Sequence, residues 1–191
     1  MYYKKLDIDS FKSIQELIVP YIIDYVNKTI TEEKLFYNLI PDEDLQKFKQ
    51  EIPELFESIR NHLESEVLFI SYLFIDNHSH VPIHTDANNP AIKKRIRLNW
   101  PIMNGSSAFT IFYKKISDNI EGIYRSLSNG VEGHSYSIND CHEVDKYVLD
   151  VPTLMNVKEL HGVRILNHKL PRILLSMRLS NEEEVYRKYF N

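Results

Sequence analysis

Two residues separated by one, His84-Thr85-Asp86, are the first place in this chain where residue types and spacing suggest chemistry. On an extended segment the side chains of i and i+2 project to the same side, so an imidazole and a carboxylate there can grip one metal ion. With 8 histidines in 191 residues, chance alone supplies roughly half a match to such a pair, so it carries weight only in company. His62-Leu63-Glu64 has the same spacing but falls in a helical pattern, where i and i+2 diverge by about 200°. It reads as a solvated helix end. His78 and His80 lie close by, but Pro82 prevents the helical geometry that would bring them onto one face with His84. His134, Cys141 and His142 lie in a polar stretch and read as surface.

The company comes late in the chain. His161 opens a strand-like run, and a turn at Asn167–Pro171 returns the chain as Arg172-Ile173-Leu174-Leu175-Ser176-Met177-Arg178-Leu179. In a strand, Arg172, Leu174, Ser176 and Arg178 share one face and the four apolar residues between them share the other. An inward arginine needs an anion, because an unpaired buried charge is costly. Arg172 is the first candidate for that role and Arg178 the second; the alternative is an exposed face on which both pair with nearby Glu or Asp.

The elements that must position these residues change character along the chain. Residues 1–65 read as mainly helical. Ser10 precedes apolar positions Phe11, Ile14, Leu17, Ile18, Tyr21, Ile22 and Tyr25, one face of a helix reaching Val26, which Pro20 should kink or split. A second helix starts after Pro41, where Asp42, Glu43 and Asp44 favour an N-terminus, and runs with a break before Pro53 to about His62. From Glu66 the chain turns β-branched and aromatic. Strands are expected at Val67–Ile75, His80–His84, Arg95–Met103, Ala108–Tyr113, Lys146–Val151, His161–Leu166 and Arg172–Leu179, separated by Asn-, Gly- and Pro-bearing turns. A short helix over 181–191 closes the chain. Helices followed by many short strands predict one α+β domain over 1–191, with 66–180 as a sandwich or barrel.

Composition bounds the function. A formal charge of −4 gives no basic excess for a nucleic-acid binder, and Lys93-Lys94-Arg95-x-Arg97 is a short run of the kind that lines a solvated strand edge. One cysteine excludes an internal disulfide. The apolar run Val67–Ile75 is too short for a membrane helix, and the opening residues lack a signal-peptide pattern. A cytoplasmic protein with no membrane partner is expected.

His84-x-Asp86, His161 77 residues later and Arg172 eleven further on together resemble the Fe(II)- and 2-oxoglutarate-dependent oxygenases. Pro82–Asn89, followed by Arg95–Ile102, is similar to the aspartyl/asparaginyl β-hydroxylase branch, and His161-Gly162-Val163 with Pro171–Ser176 to small bacterial and phage hydroxylases. The likeness covers about residues 66–180. It implies a double-stranded β-helix (jelly-roll, cupin-like) core with N-terminal supporting helices. It further implies His84, Asp86 and His161 as iron ligands and catalytic centre, and Arg172 as the partner of the cosubstrate carboxylate. Asn99 corresponds to a second polar contact, and Tyr72, preferred over Ser71, to a hydroxyl contact.

The chemistry agrees with the resemblance. Two imidazoles and a carboxylate on one face of octahedral Fe(II) leave three positions, enough for a chelating 2-oxo acid and dioxygen. Arginine offers the distal carboxylate a planar, permanently charged fork that lysine lacks. Leu98, Trp100, Ile102, Phe109, Leu154 and Leu174 are expected to wall the site, and Asn88–Lys94 and Ser117–His134 to frame its mouth. The expected reaction is hydroxylation of an unactivated C–H bond of an amino-acid side chain, free or in a peptide or protein, with release of succinate and CO2. The alternatives are a cupin-like metal protein, an isomerase or hydrolase without 2-oxoglutarate, and a non-enzymatic β-sandwich binding module.

Overall fold

The computed structural model describes residues 1–30, 37–75, 81–86, 95–126, 132–166 and 171–191. The short strand β1 (Tyr3–Lys5) leads into α1 (Phe11–Thr29), whose predicted apolar face is buried through Ile14, Ile18, Ile22 and Val26. Pro20 does not split the element, which runs on as one helix to Thr29. It lies on the exposed side, where the carbonyl it leaves unbonded, that of Glu16, faces water. Strand β2 (Tyr37–Leu39) precedes α2 (Asp42–Glu51) and α3 (Pro53–Leu63), which break at Ile52 before the Pro53 that starts the second helix.

Ten further strands follow: β3 (Val67–Ile75), β4 (Val81–His84), β5 (Ile96–Met103), β6 (Ala108–Lys115), β7 (Ile123–Ser126), β8 (Glu132–Tyr136), β9 (Cys141–Val148), β10 (Thr153–Asn156), β11 (Leu160–Ile165) and β12 (Arg172–Leu179). Helix α4 (Glu182–Phe190) ends the chain. The strands form two antiparallel sheets, ordered β1-β10-β5-β12-β3-β2 and β7-β8-β4-β11-β6-β9. Within them β3 pairs with β12, β4 with β11, β5 with β10 and β6 with β9. Such nested pairing is the connectivity of a jelly roll.

Sequence reading missed β1, β2, β7, β8 and β10, all between three and five residues long, because so short a run carries too little alternation to register. It also began β9 five residues late. His134 and His142, expected in a polar loop, lie on β8 and β9.

The helices cover the outer face of the first sheet. Ile96, Leu98, Trp100 and Ile102 of β5, Leu154 of β10 and Ile173, Leu175, Met177 and Leu179 of β12 join Ile18, Ile22, Leu45, Phe48, Leu55 and Ile59 in one core. Gln15 fixes α1 to β5. Its amide donates to the carbonyls of Pro101 (2.7 Å) and Ile102 (3.1 Å), and its oxygen accepts the Trp100 indole N–H at 3.0 Å. Between the two sheets lies a smaller cluster in which Phe112 and Tyr147 of the second sheet join Met155 and Leu174 of the first, with Leu149 and Val157 beside them. None of the described helices is long and apolar enough to cross a membrane.

Candidate metal centre and cosubstrate pocket

His84 and His161 stand directly opposite each other on β4 and β11. The β4–β11 register slips beside this pair, because three steps from Val81 to His84 oppose two from Val163 to His161. Pro82, which cannot donate to a ladder, sits within this irregularity. Its carbonyl lies 2.8 Å from His84 Nδ1, and the Glu159 carbonyl lies 2.9 Å from His161 Nδ1. Each ring therefore donates Nδ1–H to the backbone two residues earlier, which leaves Nε2 as the atom that a neutral ring offers to a metal.

Both Nε2 atoms face one carboxylate. Asp86 Oδ1 is 3.1 Å from His84 Nε2 and 3.7 Å from His161 Nε2, and the two rings lie 4.3 Å apart. One ligand atom from each of the three residues fits within 4.8 Å of the others. The backbone holds Asp86 across the two sheets: its N–H donates to Val157 O, and Val157 N–H donates to Arg95 O. Two imidazoles, once neutral, and a carboxylate form a donor set suited to a divalent transition metal, Fe(II) among them.

Charge follows the same geometry. Burial alone would raise the Asp86 pKa, but the His84 hydrogen bond and the charges of His161, His84 and Arg97 hold it well below the usual carboxylate range. Burial disfavours the His84 imidazolium, yet its bond to Asp86 outweighs this and raises its pKa. His161, more deeply buried and repelled by His84, is pushed down to about 4.

Arg172 is buried on the inner face of β12, and its Nε and Nη1 have no hydrogen-bond partner among the described residues. Burial lowers its pKa to about 10, against the influence of the Tyr147 phenol. Tyr147 is itself buried, which raises its pKa, while Arg172 and hydrogen bonds with Asn99 and Thr110 act the other way. Asn99 also donates to Met155 Sδ at 3.8 Å. From Tyr147 the contacts run through Phe112 (6.2 Å between centroids) to His161 (6.4 Å). Tyr3 stacks on Tyr147 at 4.3 Å, and Tyr2 on Phe112 at 5.1 Å, so the N-terminal strand closes one side of this pocket. Sequence reading missed Tyr147, Tyr2 and Tyr3. Nothing marks them among 12 tyrosines until the sheets face each other.

Other expected positions are redistributed. Tyr72 lies on the helix-facing side of β3, 3.1 Å from Thr29 Oγ1 and edge-on to Tyr25, so it is not brought to the pocket. Its neighbour Ser71 shares the inner face, opposite Ser176. Leu98, Trp100, Ile102 and Leu154 belong to the helix-facing core, and Phe109 packs with Ile83, Ile111 and Tyr113 on the far side of the second sheet. Of the expected walls, Leu174 alone faces the pocket. Strand parity is the reason: Asn99 and Trp100 are adjacent and cannot face the same side. Arg97, expected at a solvated edge, is 7% exposed, 3.6 Å from Glu182 and stacked over Phe69. Arg178 stacks over the same ring and donates to Glu182 at 2.8 Å. His78, His80 and Asn88–Lys94 lie outside the described residues. Part of Ser117–His134 is the β7–β8 hairpin.

No protein-family model matches the chain, and no curated protein matches its sequence. Solved structures do. HygX from Streptomyces hygroscopicus, with nickel and 2-oxoglutarate bound, matches with a TM-score of 0.57 at 10% identity, over 93% of this chain and 81% of its own. EvdMO1 matches with a TM-score of 0.52 at 12% identity, over 94% of this chain and 47% of its own. At such identities the likeness establishes a shared fold.

Proposed function

We propose that this chain is an Fe(II)- and 2-oxoglutarate-dependent oxygenase that hydroxylates an unactivated C–H bond, with an amino-acid side chain, free or in a peptide or protein, as the substrate class. The observation that carries the reading is Arg172. A buried guanidinium with two atoms unpartnered among the described residues, facing the same inter-sheet space as a His–Asp–His group on the opposite sheet, calls for an anion there. A metal-binding barrel that used no cosubstrate would leave this charge uncompensated, and a plain binding module gives no reason for two Nε2 atoms to converge on one carboxylate. The fold shared with HygX, which binds 2-oxoglutarate, supports the same reading.

His84, Asp86 and His161 would hold the ion, their orientation set by the Pro82 and Glu159 carbonyls and the Val157 tether. Arg172 would pair with the distal carboxylate of 2-oxoglutarate, with Tyr147 and Asn99 as neighbouring hydrogen-bonding groups. Phe112, Met155, Val157 and Leu174 would exclude water from the space between. Iron with 2-oxoglutarate and dioxygen supplies the oxidising chemistry, and the cosubstrate leaves as succinate and CO2. The assignment of the iron ligands rests on the donor set and on the sequence resemblance together.

The test is a titration of 2-oxoglutarate into anaerobic, Fe(II)-loaded protein, followed by succinate release against a panel of amino acids, peptides and nucleosides. Saturable binding and substrate-stimulated succinate are expected. Iron-loaded protein that binds no 2-oxoglutarate overturns the proposal. Succinate stimulated by a nucleoside but by no amino acid or peptide overturns the substrate class alone.

A further inference from the structure

We infer that Gly133 is a positioning residue for the metal centre, because its missing side chain lets β8 press against the peptide that carries Asp86. The inference rests on the metal-centre reading above. A Cβ at Gly133 would lie 2.1 Å from the carbonyl oxygen of Thr85 and 3.3 Å from its carbonyl carbon. That is about 1 Å short of the closest approach a real Cβ makes, and both opposing atoms are backbone, which has no rotamer to turn aside.

The surrounding bonds show what that approach secures. The carbonyl of His134, the next residue, accepts the Thr85 N–H at 3.2 Å, and Ser135 and Tyr136 pair with His84 and Ile83. One strand thus bonds the N–H of Thr85 and abuts its C=O. From the other side, Val157 O accepts the N–H of Asp86 at 3.0 Å. The Thr85 carbonyl and the Asp86 N–H belong to one planar peptide unit, so pushing the oxygen away from β8 turns the N–H away from Val157. The Asp86 carboxylate would then leave its place between the two imidazoles. Metal sites respond to errors of this size.

The chain contains its own control. Gly162 adjoins His161, but a Cβ there would meet the Pro82 and Val81 carbonyls at 3.5 Å and the Tyr113 ring at 3.6 Å, ordinary contact distances. Of two glycines beside metal ligands, one must be glycine and the other need not be.

The experiment titrates Co(II) into chelator-stripped wild type, Gly133→Ala and Gly162→Ala, reading the visible absorption of bound cobalt, with thermal melting of each metal-free protein alongside. Expected are a Gly133→Ala protein weakened by roughly 10–100-fold, the usual loss when a group that orients a ligand is disturbed, with an altered cobalt spectrum. Gly162→Ala should match wild type. A lowered metal-free melting temperature with unchanged cobalt affinity and spectrum in Gly133→Ala overturns the inference and leaves the metal centre standing. Wild type that takes up no cobalt overturns both. Should Gly133→Ala fail to fold, amide exchange in metal-free wild type decides. Protection of the Thr85 and Asp86 amides before any metal is added supports a clamp built by the protein, and free exchange at both overturns it.

Discussion

At the scale of single residues, the polar groups between the sheets are satisfied by their neighbours except at Arg172, whose Nε and Nη1 have no partner among the described residues. Arg172 gives the sharpest consequence. Charge-assisted hydrogen bonds contribute roughly 1.5–3 kcal/mol each, so Arg172→Ala should weaken 2-oxoglutarate binding to metal-saturated protein by about one to two powers of ten or more. Arg172→Lys keeps the charge without the fork and should fall between. Tyr147→Phe removes one neutral hydrogen-bonding group and should weaken binding only about two- to tenfold. Calorimetric titration of 2-oxoglutarate into the three variants measures this, and equal affinity in all of them would remove the pocket from the account. Arg178 is the natural comparison. It is already engaged by Glu182, so its loss should cost stability at the α4 junction before it costs cosubstrate affinity. His84, Asp86, His161 and Arg172 can be picked out in the sequence as a set, because few residue types can bind a metal or a carboxylate. Tyr147 does not, because a phenol that bonds a ligand and one that merely packs look alike in one dimension.

At the scale of elements, strand parity decides which residues the pocket receives. On β5, Asn99 turns inward with Met155 and Tyr147, while Leu98 and Trp100 turn toward the helices. The strand was legible, and Ile96, Leu98, Trp100 and Ile102 alternate with Arg97 and Asn99, but which of its two faces meets the helices and which the second sheet is decided only by the packing of the other elements. Helix α1 shows how that covering is fixed. Gln15 satisfies two β5 carbonyls and the Trp100 indole at once. Gln15→Ala would strand these buried groups, at about 1–3 kcal/mol for each one left unsatisfied. Urea unfolding should show a loss of at least about 2 kcal/mol with cobalt affinity unchanged. A loss below about 0.5 kcal/mol would mean that apolar contacts alone dock the helix.

At the scale of the whole molecule, the fold places one histidine deeper than the other, and in the proposed metal centre that would set how metal uptake responds to pH. His161 is neutral above about pH 4, and Asp86 is already ionised, so neither holds a proton that a metal must displace near neutrality. His84 does, because Asp86 raises its pKa. Metal binding requires neutral imidazoles, so affinity should rise with pH, tenfold per unit between about pH 5 and 6, and flatten once His84 has lost its proton. Cobalt titrations across that range measure the slope. A hundredfold rise per unit would mean that both imidazoles are protonated and that the burial of His161 does not govern its titration.

The sequence by itself determined the ingredients: helices before strands, the exact span of β12, the break before Pro53, and His84, Asp86, His161 and Arg172 as candidates for one site. These follow from local spacing and residue type, which the chain carries in one dimension. Only the tertiary structure decided that His84 and His161 face each other across β4 and β11, that Tyr72 belongs to the helix side while Tyr147 joins Arg172, and that β8 leans on Thr85 where Gly133 leaves room. Each of those depends on which strands pair and which face is covered, a relation between segments far apart in the chain that no local pattern encodes.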